Sequence, residues 1–172
     1  MHVAIRPSHV AFHLPLTPET TPIICVAAGA GVGPFRAFVE ERAQQMAAGR
    51  KLAPALLFFG CRGKTDDLYR EEFDAWEKQG AVVVKRAYSR EKSEETKNCK
   101  YVQHRMVEEK HEVAELWDRG AKLYVCGSRD MGKAVEEACV GLLQELNDMS
   151  EKEARMFVEE VRNERFATDV FT

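Results

Sequence analysis

Residues 22–34 read Pro22-Ile23-Ile24-Cys25-Val26-Ala27-Ala28-Gly29-Ala30-Gly31-Val32-Gly33-Pro34, an apolar run that leads into three closely spaced glycines. The apolar part is typical of a buried strand, and the glycines predict a sharp turn after it. From Phe35 to Met46 apolar residues recur at helical spacing, and Pro34 suits the first turn of that helix. This stretch therefore predicts a strand, a turn and a helix in succession.

The same alternation of strand and helix continues to the end of the chain. Apolar runs predict further strands at 55–59, 81–84, 122–125 and 165–171, with helical patterns between them. Asp66 and Asp67 are expected to open one helix, with Tyr69 on its inner face, and Ser150–Glu153 is a capping box for the last helix. Five strand–helix alternations predict an α/β fold, a five-stranded parallel sheet with helices on both faces.

The first twenty residues do not follow this pattern. His2 to Arg6 predicts a lone strand, and Phe12 to Pro18 an extended linker. A strand without a partner is expected at the end of another domain. We therefore expect residues 1–20 to be the remnant of a preceding domain and residues 21–172 to form the main domain.

The composition excludes several classes of protein. A length of 172 residues, 45% of them hydrophobic, suits one domain with its own core. A net charge of −3 does not favour nucleic-acid binding, and the chain has no apolar run of 18 residues, so we expect no nucleic-acid partner and no direct membrane contact. The five cysteines form no Cys-x-x-Cys pair, which favours neither a zinc site nor a disulfide framework and suits a cytoplasmic location.

Small and polar residues stand directly after the predicted strands. Open α/β sheets bind ligands at the carboxyl ends of their strands, where loop amides and helix N-termini converge. The residues at those positions are Gly29–Pro34, Gly60–Arg62, Tyr88–Arg90 and Cys126–Arg129, with Asp169 and Phe171 on the last strand. The sequence therefore predicts a ligand site along this edge of the sheet.

The glycine segment from Gly29 to Pro34 is suited to a phosphate group. Its backbone N–H groups can approach a pyrophosphate closely, although it is neither a Gly-x-Gly-x-x-Gly fingerprint nor a P-loop. The alternative is a tight turn that only packs helix against strand. No acidic residue follows the second strand to hold a ribose 2′-hydroxyl.

A basic stretch follows the third strand. Seven Lys or Arg residues against three Glu lie between Lys85 and Arg105, and with Ser89 and Arg90 they would suit a phosphomonoester. The alternative is a solvated loop of ordinary lysines. Cations after strand three and no acid after strand two together favour NADP over NAD. Cys126, taken alone, is more simply a small core residue.

Read together, these motifs resemble the NADP-binding domain of the ferredoxin–NADP reductase superfamily, which has a Rossmann-like fold. Within it they resemble the diflavin reductases of the NADPH–cytochrome P-450 reductase type, and especially the reductase part of fungal self-sufficient fatty-acid hydroxylases. The matching residues run in family order: Gly29–Arg36, Phe59–Arg62, Leu68–Glu72, Tyr88–Arg90, Tyr101–His104, Tyr124–Gly127 and Asp169–Phe171.

The resemblance implies a role for each matching residue. Cys126 and Asp169 would assist hydride transfer from NADPH to the flavin N5 atom, and Phe171 would stack on the flavin and yield to the nicotinamide. The implied cofactor-binding residues are Gly29, Ala30, Gly31, Val32, Pro34, Cys61, Arg62, Ser89, Arg90, Lys100, Tyr101, Gln103, Gly127, Ser128 and Arg129, and no metal ligands are implied. FAD, FMN and haem would belong to other parts of the parent polypeptide, namely an FAD-binding domain, an FMN domain and a haem domain.

Four residues depart from the family pattern. They are Ala30 in place of Thr, Lys100 one position late, Ser128 in place of Asp, and Phe171 in place of Trp. Three alternatives stay open at this point: a sulfite reductase flavoprotein, a nitric oxide synthase reductase, and a nucleotide-binding module without catalytic activity.

Overall fold

A five-stranded parallel sheet organises residues 12–171, the part of the chain that this computed structural model describes. The strands are β1 (Ile23–Ala28), β2 (Ala55–Cys61), β3 (Val83–Tyr88), β4 (Lys122–Ser128) and β5 (Phe166–Phe171), in the spatial order β3-β2-β1-β4-β5. The chain moves outward from β1 to β3 and then returns to the other side of β1 with β4. The order therefore reverses between β1 and β4, which is where open sheets of this kind bind ligands.

Helices cover both faces of the sheet. On one face α1 (Gly33–Ala47) and α2 (Arg70–Lys78) bury Phe35 and Phe73 against the strands. On the other face lie α3 (Val102–Glu108), α4 (Lys110–Asp118), α5 (Arg129–Asn147) and α6 (Glu151–Glu160), which contribute Met106, Val135 and Val158 to a second core. Because both faces are covered, the central strands β1 and β2 are apolar throughout their length, as the runs in the sequence predicted. The predicted fold class is confirmed, and so is the capping box at Ser150.

The third strand begins later than the sequence predicted. The structure starts β3 at Val83 and continues it to Tyr88, so Lys85 and Arg86, the first two cations of the basic stretch, lie inside the strand. Ala81 and Val82 are buried before the strand begins. A charged residue is tolerated inside the sheet because the buried Arg86 guanidinium donates to the carboxylates of Asp67 and Asp74, at 2.8 and 2.7 Å.

The start of the second helix also differs from the prediction. Helix α2 begins at Arg70, after Tyr69, whose backbone is left-handed (φ 58°) and whose side chain is exposed beside the Arg36 guanidinium. Tyr69 is therefore not on the inner face. Asp67 does not cap a helix, because its buried carboxylate accepts hydrogen bonds from Arg70 and Arg86. A buried carboxylate needs such partners more than an exposed helix end does.

The segment before β1 lies against the domain. Phe12 packs on Phe35 and Tyr124 with ring centroids 5.7 and 5.5 Å away, and the Tyr124 hydroxyl donates to the carbonyl of His13 at 2.7 Å. Residues 12–20 contain no helix or strand. The strand expected at residues 2–6 falls outside the described part of the chain. Within residues 12–171, no helix is long and apolar enough to cross a bilayer.

Candidate functional site

A cleft of about 600 Å³ opens at the carboxyl ends of the strands. This volume is in the range of sites for small molecules and cofactors. Most of its lining comes from segments that follow strands or begin the next helix: Ala28, Gly29, Gly60, Cys61, Arg62, Asp66, Leu68, Ser89, Lys100, Tyr101, Val102, Gln103, Ser128, Asp130, Met131 and Ala134. Of the predicted site residues, it brings together Gly29, Cys61, Arg62, Ser89, Lys100, Tyr101, Gln103 and Ser128.

The glycine segment after β1 is a short 3-10 turn, Gly29–Val32, that leads into α1. Gly29 has a left-handed backbone (φ +54°), and a Cβ added there would meet no atom within 4 Å. A residue other than glycine would strain this turn although space is available. Gly29 therefore faces the open cleft, close to the N-terminal end of α1, where backbone N–H groups favour an anion.

Gly31 has a different function in the same turn. A Cβ on Gly31 would lie 2.2 Å from the carbonyl oxygen of Cys126, so the turn packs directly against the backbone of β4. Val32 is fully buried, and Pro34 lies in the first turn of α1. Ala30, Gly31, Val32 and Pro34 are not among the residues that line the cleft. Gly31 thus fixes where the turn sits relative to β4.

The backbones of two arginines, Arg62 and Arg90, lie next to each other where β2 and β3 end, and of the two only Arg62 lines the cleft. Beyond the strands proper, Ser89 N–H donates to the Cys61 carbonyl and Arg90 N–H to the Arg62 carbonyl, both at 2.9 Å. Arg62 and Arg90 are exposed, and neither makes an ion pair with any residue in the described range 12–171. Guanidinium groups in this state are suited to hold a phosphate through paired N–H donors.

The segment that leads into α3 adds a cation and an aromatic ring. The Lys100 ammonium lies 5.3 Å from the centroid of the Tyr101 ring, and Tyr101 is 44% exposed. Gln103 lines the cleft from the first turn of α3. A half-exposed ring beside a cation offers a flat apolar surface next to a phosphate-binding group.

Most cations of the basic stretch between Lys85 and Arg105 form ion pairs with carboxylates of the protein. Lys85 pairs with Glu112 at 2.9 Å, Lys97 and Arg105 both pair with Glu109, and Arg86 pairs with Asp67. Among residues 12–171, the members of the stretch without an ion pair are Arg90, Lys92 and Lys100. Four of the seven cations in this stretch are therefore paired with carboxylates of the protein itself.

Cys126 and Asp169 meet on the two strands at the other side of the reversal. They are directly opposite in the register of β4 and β5. Cys126 is buried, and this burial, followed by the charge of Asp169, raises the pKa of its thiol to about 11. The thiol is therefore neutral at physiological pH and is not a nucleophile.

The ends of β4 and β5 carry the remaining predicted residues. Ser128 lies opposite Phe171 in the register, and its hydroxyl accepts a hydrogen bond from the Met131 N–H, so it caps α5. A Cβ on Gly127 would lie 2.4 Å from the end of the Met131 side chain. Arg129 is the first residue of α5, and Phe171 is 48% exposed. Cys126, Asp169 and Phe171 thus share the sheet edge with the cleft without lining it.

Some lining residues were not predicted. Met131 and Ala134 lie three residues apart on α5, and the helical pattern alone does not show which of its faces meets the cleft. Gly60 is also part of the lining, and a Cβ there would lie 2.9 Å from Val102. The sequence already places Gly60 at this edge, because it directly follows an apolar run. Across residues 12–171, no cluster of His, Cys, Asp or Glu side chains is arranged to hold a metal ion.

Comparison with known proteins agrees with this arrangement. Residues 25–137 match the model of a family described as the oxidoreductase NAD-binding domain. The chain is 56% identical, over 99% of its length, to a bifunctional cytochrome P-450/NADPH–P-450 reductase of Fusarium oxysporum. It is also 49% identical, over 81% of its length, to a self-sufficient cytochrome P-450 monooxygenase of Exserohilum turcicum, and 42% identical, over all of it, to one of Oidiodendron maius.

These relatives are much longer than the chain. The chain spans 16%, 13% and 16% of their respective lengths. The match therefore concerns one region of each relative. Together with the parallel sheet and the cleft at its carboxyl edge, the family match shows that this chain belongs to the oxidoreductase NAD-binding domain family.

Proposed function

We propose that the chain binds NADPH and presents it for hydride transfer to a FAD held by another part of the same polypeptide. The observation that supports this most is the grouping of Arg62, Ser89, Lys100 and Tyr101 around one cleft at the carboxyl edge of the sheet. Two of these are cations without an ion-pair partner among residues 12–171. Such groups fit a ligand that carries several phosphates.

The residues fit the two phosphate regions of NADPH. Gly29 and the amides of the turn through Pro34, including Ala30, Gly31 and Val32, would receive the pyrophosphate, with Cys61, Arg62 and Arg129 nearby. At the adenosine end, the 2′-phosphate would be held by Ser89, Arg90, Lys100, Tyr101 and Gln103. A phosphomonoester carries almost two negative charges and is bound well by guanidinium and ammonium donors.

We assign the nicotinamide end of NADPH to residues of β4 and β5. NADPH, when bound, supplies the hydride for flavin reduction. Cys126 would contact the nicotinamide region with a neutral thiol, and Gly127 and Ser128 would leave room beside it. Asp169 would keep a negative charge close to that region, and the exposed ring of Phe171 would cover the flavin until the nicotinamide takes its place.

The parent protein is proposed from the relatives. The Fusarium protein is named a cytochrome P-450 joined to an NADPH–P-450 reductase. We infer that the present chain likewise belongs to a fusion, in which electrons pass from NADPH through FAD and FMN to haem. The partners would be the FAD-binding domain, whose end would be residues 1–20, then the FMN and haem domains, without nucleic acid or direct membrane contact. A cytoplasmic location accords with five cysteines that are all free thiols.

A resin that carries 2′,5′-ADP tests the proposal. The 172-residue chain should be retained on this resin and should elute with free 2′-AMP but not with an equal concentration of 5′-AMP. Retention on 5′-AMP resin of equal strength would mean that the cleft does not recognise the 2′-phosphate. Failure to bind either resin would contradict nucleotide binding by this cleft.

A further inference from the structure

Asp67 lies at the centre of a buried ionic cluster beside the cleft. Its side chain is fully buried, and one carboxylate oxygen, Oδ2, accepts hydrogen bonds from Arg86 at 2.8 Å, Arg70 at 3.0 Å and Tyr88 at 3.2 Å. The other oxygen, Oδ1, has no hydrogen-bond partner among residues 12–171. Two cations thus converge on one oxygen of one carboxylate. Removing the charge of Asp67 would leave both guanidinium groups without this counter-charge.

Glu95 connects this cluster to the loop that follows β3. Arg70 donates to the Glu95 carboxylate at 2.6 Å while it also contacts Asp67. Glu95 belongs to a short 3-10 turn, Glu94–Thr96, in the middle of the loop from Ser89 to Lys100. That loop carries Ser89, Arg90 and Lys100. The link from Asp67 through Arg70 to Glu95 therefore joins α2 to the segment that carries these residues.

The other hydrogen bonds and ion pairs that hold this loop do not involve α2. The Cys99 carbonyl accepts from the Tyr88 N–H at 3.1 Å, which closes the base of the loop. On the side of α3, Arg105 donates to the backbone carbonyl of Glu95 at 2.9 Å, and Lys97 pairs with Glu109. The Glu95 side chain is thus the contact that fixes the middle of the loop from the α2 side.

We propose that Asp67, Arg70 and Glu95 are positioning residues that set the specificity of the cleft for a 2′-phosphate. They act by holding the loop so that Ser89, Arg90 and Lys100 converge before the ligand arrives. This inference rests on the proposed function, since it explains how that site discriminates between a 2′-phosphate and a 2′-hydroxyl. Donors that are already ordered lose less conformational entropy when they bind, so they bind more tightly.

The sign of the effect separates positioning from simple electrostatics. Glu95 is an acid near a site for an anion, so removing its charge should strengthen phosphate binding if charge alone matters. If Glu95 positions the loop, the same change should weaken phosphate binding. Glu94 is its neighbour in the same turn, and its side chain makes no ion pair or hydrogen bond within residues 12–171. Glu94→Gln is therefore a matched control that removes a charge but no contact.

The experiment measures 2′,5′-ADP and 5′-AMP affinity of the 172-residue chain by calorimetry at one salt concentration. Glu95→Gln should weaken 2′,5′-ADP binding about threefold to fivefold, the size of one partly screened ion pair. It should change 5′-AMP binding by less than about twofold, within the scatter of additive effects. Glu94→Gln should leave 2′,5′-ADP binding unchanged or tighten it.

Asp67→Asn extends the test to the buried end of the link. Because Oδ1 has no partner among the described residues, the amide can place its oxygen at Oδ2 and lose mainly the charge. This variant should weaken 2′,5′-ADP binding at least as much as Glu95→Gln, provided that circular dichroism shows a folded chain. If it fails to fold, Glu95→Gln decides alone. Unchanged or tighter 2′,5′-ADP binding by Glu95→Gln would overturn the inference.

The result also separates this inference from the proposed function. If the unaltered chain does not prefer 2′,5′-ADP to 5′-AMP, the proposed function fails. If it does prefer 2′,5′-ADP and Glu95→Gln keeps the full preference, only the positioning role fails. Equal weakening of both nucleotides would mean that Glu95 supports the cleft as a whole, which also contradicts a role in specificity.

Discussion

Cys126 and Asp169 lie directly opposite each other on the neighbouring parallel strands β4 and β5. Opposite residues in such a pair point to the same face of the sheet. The carboxylate of Asp169 therefore acts on the thiol of Cys126, and it raises the thiol pKa further after burial has raised it. A neutral thiol beside a carboxylate is the arrangement that we propose at the nicotinamide end.

Cys126→Ala in the full-length polypeptide should slow flavin reduction by NADPH about tenfold, or 1.4 kcal/mol of transition-state stabilisation. The affinity for 2′,5′-ADP should not change, because Cys126 is assigned to the opposite end of the cofactor. Stopped-flow absorbance at the flavin band measures the rate. Cys25→Ala removes another buried thiol, on β1, and should leave the rate unchanged. Equal rates for Cys126→Ala and the unaltered protein would mean that Cys126 only packs in the core.

The pKa of Cys126 also predicts a pH dependence. Because the folded thiol ionises only near pH 11, flavin reduction should show no inflection near pH 8.5, where an ordinary cysteine ionises. The free energy of unfolding should fall as the pH rises from 8.5 towards 11, because the thiol ionises first in the unfolded chain. A rate inflection near pH 8.5 that disappears in Cys126→Ala would contradict this assignment.

Gly31→Ala should destabilise the domain by about 1–3 kcal/mol, as overpacking of a tight contact does. The added methyl would lie 2.2 Å from the backbone oxygen of Cys126, and a backbone atom cannot move aside cheaply. Gly33→Ala is the matched change, since a Cβ there meets no atom within 4 Å. Urea unfolding should show a loss for Gly31→Ala and none for Gly33→Ala. Equal stability of the two variants would mean that the turn does not pack on β4.

Arg90→Ala should remove most of the preference for 2′,5′-ADP over 5′-AMP, about 1.5–3 kcal/mol for one charge-assisted contact. Arg90 is exposed and makes no ion pair among residues 12–171, so the change should not destabilise the fold. Lys92→Ala removes a nearby charge that also has no ion pair in the described range. Calorimetry should show a large loss for Arg90→Ala only. Equal losses for both variants would indicate attraction by overall charge instead of a direct contact.

Phe171→Ala should raise turnover with NADH proportionally more than turnover with NADPH. In the proposed mechanism the nicotinamide must displace the Phe171 ring, and lost stacking costs on the order of 1 kcal/mol beyond area burial. NADPH can offset that cost through its 2′-phosphate contacts, whereas NADH cannot. Steady-state kinetics with both cofactors in the full-length polypeptide measures the ratio. An unchanged ratio would leave Phe171 without a gating role.

The sequence predicted the central strands well because β1 and β2 are buried on both faces. Runs such as Ile23–Ala27 and Ala55–Phe59 are apolar throughout and need no knowledge of their neighbours. The extension of β3 through Arg86 and the failure of Asp67 to cap α2 have one cause, the pairing of Asp67 with Arg86. These residues are 19 positions apart, so local patterns predict each one separately and do not show that they meet.

The site could be located from the sequence, but its internal geometry could not. The positions of Arg62 and Ser89 directly after their strands place them at one edge, whereas Tyr101 was implied only by the family resemblance. The structure brings all three to one cleft. The contact between Gly31 and the Cys126 carbonyl joins segments almost a hundred residues apart, and a glycine in a glycine-rich turn carries no sign of it. The link from Arg70 to Glu95 is also nonlocal, since these residues are 25 positions apart.

The affinity of the 172-residue chain for NADPH and for NADH, measured by calorimetry at a fixed salt concentration, tests whether the cleft is an NADPH site. NADPH should bind at least about tenfold more tightly, a difference of 1.4 kcal/mol or more from its one additional phosphate. That difference should shrink as the salt concentration rises, because the added phosphate meets exposed cations. Equal affinities for the two cofactors, or no binding of either, would contradict the account.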